Sequence, residues 1–249
     1  MENTLRRLVR RLFAKAPKLY LATLKALRRG SQEKRMYLSL IRKGDVVIDI
    51  GANVGYFTML FSDLVGPSGE VHAFEPLPST FELLSGNIRR FPAHKNVILN
   101  CFALGEQDQR TTLFVPNEDH GQAALAQHRV GSWATNRTRA VSVEMMRLDR
   151  YAERLAKIDF VKCDVEGAEL LVLRGGESTL RRCRPKIFLE IEEHWTISFG
   201  WTAADVVRFL REIGYQHFYG IGHQGLQIET TPFGTGGILC IWEKVSGLA

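Results

Sequence analysis

Several features are absent from this sequence, and each absence excludes a class of protein. No run approaches the ~18 uninterrupted apolar residues of a membrane-spanning helix, and the basic amino terminus lacks the apolar stretch of a secretory signal. No segment recurs at a fixed period, which excludes a repeat array. The four cysteines show no CxxC pair, so we expect reduced thiols rather than a zinc or redox site. These absences favour a cytoplasmic globular protein whose mature chain begins at Met1.

Charge is distributed unevenly along the chain. Residues 1–43 contain 13 Lys and Arg against 2 acids, a net charge of +11, whereas residues 44–249 have a net charge of −5. Phosphate binding depends largely on Lys and Arg, so the acidic part is a poor surface for nucleic acid, and no nucleic-acid partner is predicted. The charge pattern divides the chain into a basic extension, residues 1–43, and a main domain, residues 44–249.

The basic extension has helical periodicity. Apolar residues recur with helical spacing from Leu5 to Ala16, with arginines on the opposite arc, and further helical stretches run from Leu19 to Arg29 and from Ser31 to Gly44. Such helices either dock on an anionic membrane surface, which would place the protein on the inner face of the membrane, or pack on the main domain with solvated charges. Both interpretations remain open at this stage.

Short apolar runs alternate with helical sequence in the main domain, as is typical of a doubly wound α/β fold. Five runs predict parallel strands, at residues 46–50, 71–75, 97–102, 158–163 and 187–191. Two later runs, 215–219 and 238–242, have no helix between them and should pair antiparallel. An extra strand is predicted at 141–146, and capping pairs predict helices beginning near Ser79 and Thr202. The expected sheet is mostly parallel and ends in an antiparallel pair.

Two signals follow the first two strands. Gly51 and Gly55 permit a tight turn close to a ligand, and Asn53 between them tolerates unusual backbone angles. The spacing differs from Gly-x-Gly-x-x-Gly, and the sequence contains no Gly-Lys-Ser/Thr phosphate loop. Glu75 ends the second strand, where a carboxylate can accept hydrogen bonds from both ribose hydroxyls. Together these residues predict a cofactor that contains adenosine.

Four motifs, in this order and spacing, resemble the FkbM family of S-adenosylmethionine-dependent methyltransferases. They are Asp-Ile-Gly-Ala-Asn-Val-Gly at 49–55, Phe-Glu-Pro at 74–76, Ala-Leu-Gly at 103–105 and Lys-Cys-Asp-Val-Glu-Gly-Ala-Glu at 162–169. The resemblance covers roughly residues 45–215. It implies a class I methyltransferase fold, which is Rossmann-like with a seven-stranded sheet, and methyl transfer from S-adenosylmethionine to oxygen.

The resemblance also implies roles for individual residues. Asp49, Gly51, Asn53 and Gly55 would line the methionine and ribose side of the cofactor, and Glu75 would bind the ribose diol. The segment from Asn100 to Ala103 would lie near the adenine.

Acidic residues gather after the fourth and fifth strands. Asp164 or Glu166 is expected to hold the acceptor hydroxyl or the cofactor amino group, and Glu190 and Glu192 follow at the end of the fifth strand. A sugar hydroxyl is a poor acid, so a base or a metal is expected, and the pKa of imidazole suits His194. His194 is alternatively a surface or packing residue. We take Asp164, Glu166, Glu192 and His194 as candidate catalytic residues, while the acids could alternatively hold a divalent cation.

The function predicted from these features is O-methylation of a hydroxyl on a saccharide, such as a glycolipid or a lipopolysaccharide. Polar segments 116–138 and 219–237 are long enough to be acceptor-binding loops. One alternative is O-methylation of a small secondary metabolite. Another is a catalytically idle module that binds S-adenosylmethionine and recruits a partner.

Overall fold

The structure, a computed structural model, describes residues 32–91, 94–116, 123–126, 138–222, 225–228 and 236–243. The strands are β1 (Val46–Ile50), β2 (Glu70–Phe74), β3 (Val97–Asn100), β4 (Ala103–Leu104), β5 (Gln109–Pro116), β6 (Thr138–Met146), β7 (Phe160–Cys163), β8 (Lys186–Ile191), β9 (His217–Gly222), β10 (Gly225–Ile228) and β11 (Gly236–Ile241). The helices are α1 (Gln32–Leu40), α2 (Tyr56–Val65), α3 (Pro78–Arg89), α4 (Leu148–Tyr151), α5 (Glu169–Arg174), α6 (Glu177–Cys183), α7 (Glu193–Thr196) and α8 (Ala203–Ile213). None of the helices among these residues is both long enough and apolar enough to cross a bilayer.

The main sheet has the strand order β10-β9-β11-β8-β7-β1-β2-β3. Strands β3, β2, β1, β7 and β8 pair in parallel, and β11 pairs antiparallel with both β8 and β9. The doubly wound, mostly parallel sheet and the antiparallel pairing of its last strands are therefore confirmed. Seven of the strands form the predicted arrangement, and β10 adds an eighth at the edge beside β9.

Apolar side chains cover both faces of the main sheet, because its central strands are buried on both sides. One face packs against α1, α2 and α3, and the other packs against α4, α5, α6 and α8. Side chains alternate along each strand, so Val47 points to the first face and Ile48 to the second. The polar residues that follow the strands are thereby left at the carboxyl edge of the sheet.

The predicted strand 97–102 is wrong in its second half. Strand β3 ends at Asn100, and the chain resumes as β4 in a separate three-stranded sheet with the order β4-β6-β5. The predicted extra strand 141–146 is confirmed within β6, which pairs with β5 along the whole of β5. This small sheet packs Leu113, Val115 and Val143 against Leu77, which lies just after β2. It therefore forms a wall beside the carboxyl edge of the main sheet.

Helix α1 is part of the core. The ring of Tyr37 is fully buried and makes T-shaped, edge-to-face contacts with four phenylalanine rings at centroid distances of 4.9–5.7 Å. Met36 and Leu40 are buried in the same cluster. The helix predicted after Ser31 is thus present and packs on the sheet. The two earlier helices, predicted between Leu5 and Arg29, lie outside the described residues, and the division of the chain at residue 43 stays a prediction.

The two predicted capping pairs have different outcomes. Thr202 and Asp205 form the reciprocal capping box of α8, as predicted. At α3 the prediction is wrong, because the helix begins at Pro78 with Leu77 as its N-cap and no side-chain cap. Proline at the first helical position has a backbone angle that already suits a helix, so α3 begins one residue before Ser79.

Candidate functional site

A cleft opens at the carboxyl edge of β1, β2 and β7, between the main sheet and the small sheet. The volume of the cleft, including the solvent-filled space at its entrance, is about 730 Å³, which is within the size range of ligand sites. Its polar wall includes Asn53, Glu75, Asp164 and Glu166. Its apolar lining comes from both sheets and from residues 123–125, and includes Ile50, Phe74, Leu77, Phe102, Leu104, Leu113, Ala123 and Leu125.

The turn after β1 runs close to the end of β7. Gly51 has a φ of 78°, and a Cβ atom there would lie 1.9 Å from the carbonyl oxygen of Asp164. Gly55 has a φ of 90° and begins α2, where a Cβ would lie 2.6 Å from a methyl carbon of Leu84. Asn53 lies between the glycines with a φ of 51° and accepts a hydrogen bond from the Val54 N–H at 2.8 Å. Glycine suits both positions because the backbone is left-handed there, and at Gly51 the carbonyl of Asp164 also leaves no space for a Cβ atom.

Glu75 is the buried carboxylate of the cleft, with 7 % of its surface exposed. Its Oε2 accepts the backbone N–H of Asn53 at 3.0 Å, and its Oε1 accepts that of Leu77 at 3.0 Å. Burial raises the pKa of Glu75 to about 7, although the two backbone donors act in the opposite direction. Each oxygen retains a lone pair that can accept a further hydrogen bond. The side chain is therefore fixed in position and can still bind a ligand with two donors.

Asp49 lies beneath the cleft and does not line it. It is fully buried, and the hydroxyl of Thr58 donates to its Oδ2 at 2.6 Å. Its Oδ1 has no hydrogen-bond partner among the residues that the structure describes, and the Nζ of Lys162 lies 3.9 Å away. Burial raises the pKa of Asp49, and Lys162 counteracts that shift. Asp49 thus joins β1 to α2 and compensates a buried ammonium group.

A second turn after β7 supplies the carboxylates Asp164 and Glu166. Lys162 donates to Asp164 Oδ2 at 3.2 Å, and Glu166 adopts left-handed backbone with a φ of 54°. Glu169 is fully buried, and its Oε1 accepts the backbone N–H groups of Val165 and Gly167, each at 3.2 Å. Burial raises the pKa of Glu169 to about 7. Glu169 thus fixes the conformation of the turn, a role that the sequence analysis did not assign to it.

The structure brings together only part of the predicted site. The residues that line the cleft are Gly51, Asn53, Glu75, Ala103, Asp164 and Glu166. Five others lie outside its lining: Asp49, Gly55, Asn100, Glu192 and His194. The amide of Asn100 instead donates to the Ala73 carbonyl at 3.2 Å and to the Tyr151 hydroxyl at 3.1 Å. The roles assigned to all of these residues stay predictions.

His194 lies on α7, on the outer surface. Its side chain is 46 % exposed, and its Nδ1 is 3.6 Å from Glu192 Oε2. Among the described residues, no three His, Cys, Asp or Glu side chains are arranged to hold a metal ion. The general-base role of His194 and the divalent cation thus gain no support from the positions of these groups.

Most of the apolar lining was not predicted. Leu113 and Leu125 belong to the small sheet and to the segment paired with it through the Phe114–Ala124 bridge. In sequence, a leucine that faces a cleft looks the same as one that faces the core, so no pattern distinguishes them. Phe102 and Leu104 flank Ala103, which was predicted to lie near the adenine.

The family profile described as the Methyltransferase FkbM domain matches residues 49–217. The chain belongs to the FkbM methyltransferase family. The match begins at Asp49 and spans the glycine turn, Glu75 and the Asp164 turn, so the resemblance proposed from the four motifs is confirmed.

This FkbM-family chain is similar to two curated methyltransferases. It is 36 % identical over 161 residues to the 31-O-demethyl-FK506 methyltransferase FkbM of Streptomyces tacrolimicus. The aligned region covers 55 % of this chain and 61 % of the Streptomyces protein. It is 29 % identical over 187 residues to the hexuronic acid methyltransferase AglP of Haloferax volcanii, which covers 74 % of this chain and 69 % of that one. The chain thus spans about three-fifths of the length of the Streptomyces protein.

The fold is shared with a solved structure of the family. The FkbM methyltransferase from Methylobacillus flagellatus superposes with a TM-score of 0.50 at 16 % identity, over 84 % of this chain and 50 % of that one. This likeness supports the class I methyltransferase fold.

Proposed function

We propose that this chain transfers a methyl group from S-adenosylmethionine to a hydroxyl oxygen of a saccharide. The observation that carries the proposal is the buried Glu75 carboxylate, fixed by the backbone N–H groups of Asn53 and Leu77 in the wall of the cleft. A ribose presents two adjacent hydroxyl donors, which fit the remaining lone pairs of such a carboxylate.

The cleft residues fit the rest of the cofactor. Phe102, Leu104 and Leu125 offer an apolar surface for a flat base, and Asp164, which lies across β1 from Glu75, can accept a hydrogen bond from an amino group. When bound, S-adenosylmethionine supplies a methyl group that the adjacent positive sulfur already activates. The protein must therefore orient the acceptor oxygen and remove its proton.

The positions of the carboxylates favour acid–base catalysis in the part of the cleft near Asp164. Asp164 and Glu166 line the cleft, whereas Glu192 and His194 do not. Lys162 donates to Asp164 and holds it in place, so Asp164 is oriented before any ligand arrives. A hydroxyl bound beside Asp164 would lie at the end of the cleft opposite to Glu75.

A saccharide acceptor is supported by the AglP relative, which is named for a hexuronic acid. The FkbM relative is named for a methyl group on FK506, so a small secondary metabolite is the runner-up acceptor. An assay with S-adenosylmethionine carrying a radiolabelled methyl group separates the candidates. Purified protein is incubated with either the saccharide or the small-metabolite extract of a deletion strain, and label in the saccharide fraction supports the proposal. Label in neither fraction, with cofactor binding intact, would favour the idle module.

Calorimetry with S-adenosylhomocysteine tests the cofactor site directly. We expect micromolar binding to the wild-type protein and at least a tenfold loss in Glu75→Gln, which keeps the shape but removes the charge. Glu82→Gln is the matched control, since Glu82 is exposed on α3 and should bind as the wild type does. No binding by the wild-type protein would remove the basis of the proposal.

We further propose that residues 1–31 bring a cytoplasmic protein to the inner face of an anionic membrane. Their charge supports this, because they contain most of the Lys and Arg of the basic extension. The deletion must stop before α1, since Met36, Tyr37 and Leu40 are core residues. Full-length protein should sediment with vesicles that contain phosphatidylglycerol, and the 1–31 deletion should stay in the supernatant. Equal sedimentation of both proteins would contradict this proposal.

A further inference from the structure

Strands β7 and β8 place two carboxylates side by side at the carboxyl edge of the sheet. Lys162 is paired with Phe188, and Cys163 with Leu189, so continuing this parallel register by one residue sets Asp164 beside Glu190. Residues two apart on a strand share a face, so Glu190 lies on the same face as Phe188, which α1 covers. On the other side, the strand neighbour of Glu190 is Gly237, which has no side chain.

Lys162 lies beneath this pair and is almost completely buried. Its Nζ is 3.2 Å from Asp164 Oδ2 and 3.9 Å from Asp49 Oδ1, and it also lies over the ring of Phe57. Burial alone would lower the pKa of Lys162, but the surrounding carboxylates raise it above its usual range. The lysine is therefore a permanent cation that orders Asp164 from below and is not itself presented to a ligand.

Helix α1 contributes a further carboxylate to this cluster. The Tyr37 hydroxyl donates to Glu33 Oε1 at 2.7 Å and fixes that side chain, which interacts electrostatically with Lys162. The charged groups that act on Glu190 are Asp164 and Lys162 from β7, Glu33 from α1 and Glu192 from its own chain segment. Glu190 is thus repelled by three carboxylates and attracted by one ammonium group.

This environment makes Glu190 an unusually strong carboxylate base. Repulsion from Asp164 is the largest cause, followed by burial, and together they raise the pKa of Glu190 to about 8. A general base works best when its pKa lies near the working pH, and an ordinary glutamate is far too acidic for this role. Glu190 is not among the residues that line the cleft, but it is partly exposed and its strand neighbour Asp164 does line the cleft, so a hydroxyl bound beside Asp164 would lie next to Glu190.

We propose that Glu190 is the general base that deprotonates the acceptor hydroxyl, with Asp164 and Lys162 as the groups that position it. This inference rests on the proposed function. The O–H bond of the acceptor breaks, and its proton passes to the Glu190 carboxylate. The freed electron pair of the oxygen forms the new bond to the methyl carbon, as the bond from that carbon to sulfur breaks and leaves its electrons on sulfur. The products are the methyl ether and S-adenosylhomocysteine.

The proposal is tested first without any acceptor. Carbon-13 NMR of labelled glutamate carboxyl groups should show one signal that titrates near pH 8 and is missing in Glu190→Gln. In Asp164→Asn the same signal should titrate at least one pH unit lower, because the largest cause of its shift is gone. A Glu190 signal that titrates below pH 6 in the wild type, or that is unmoved by Asp164→Asn, would overturn the proposal.

Binding and turnover complete the test. Glu190→Gln should bind S-adenosylhomocysteine within twofold of the wild type, which also shows that it is folded, yet transfer label to the saccharide extract at least 100-fold more slowly. Exposed Glu193 supplies the matched control, Glu193→Gln, which should turn over normally. Failure of the wild-type protein to bind would count against the proposed function, whereas normal turnover by Glu190→Gln would count against this inference alone.

Discussion

Protonation of Glu75 should control cofactor affinity near neutral pH. With a folded-state pKa of about 7, raised by burial, roughly nine in ten molecules carry a protonated Glu75 at pH 6, and roughly one in ten at pH 8. A protonated carboxyl loses acceptor capacity, so ribose hydroxyls should select the ionised form. Affinity for S-adenosylhomocysteine should therefore be about tenfold weaker at pH 6 than at pH 8.

The same reasoning predicts that protons are released on binding. At pH 6 each bound ligand should displace about 0.9 protons from Glu75, in proportion to its protonated fraction. Calorimetry in two buffers with different ionisation enthalpies measures that number directly. Glu75→Gln should bind weakly and without this pH dependence. Comparison with this variant separates the proton released by Glu75 from any released by Glu169 or Glu190, whose pKa values are similar. Equal affinity of the wild-type protein at both pH values, with no proton release, would refute the reasoning.

Three further predictions concern stability and are measured by urea unfolding. Gly51→Ala should lower the free energy of unfolding by more than about 2 kcal/mol, because it combines left-handed backbone with a clash against Asp164. Gly86→Ala is its control, since a Cβ atom at Gly86 on α3 would meet open space. Tyr37→Ala should lower the free energy of unfolding by about 3–5 kcal/mol, and Tyr37→Phe should lower it far less. A similar small decrease in both variants would show that α1 is not part of the core. Burial raises the folded-state pKa of Glu169 to about 7, so the stability that its protonated form contributes is fully present below pH 4.5 and is lost as the pH rises through 7. The free energy of unfolding should fall by up to about 3 kcal/mol over this range, and Glu169→Gln should reduce that fall.

The parts of the site that the sequence predicts well are those at the ends of parallel strands. Gly51, Glu75 and Asp164 follow three different strands, yet they meet because the carboxyl ends of neighbouring parallel strands share one edge. Asn100 is likewise the last residue of strand β3, but its side chain hydrogen-bonds to Tyr151 and does not line the cleft. Position along the chain thus predicts the edge, whereas the direction of a side chain depends on its neighbours.

Features that depend on distant packing were not predictable. The small sheet places Leu113 in the cleft wall, although nothing local distinguishes that leucine from a core residue. The periodicity of α1 likewise predicts an apolar face but not what covers it. In the structure Tyr37 of α1 inserts among four phenylalanines, so protein side chains cover the apolar face of this helix.

The loop that carries Gly51 runs so close to the loop that carries Asp164 that not even a Cβ atom would fit between Gly51 and the Asp164 carbonyl oxygen. A shift of the first loop by a few tenths of an ångström must therefore displace the second, because packed backbone cannot compress. We therefore expect binding near Glu75 and binding near Asp164 to be energetically linked, and linkage of this kind is reciprocal. Each ligand should therefore change the binding affinity of the other by the same factor, even without direct contact between them.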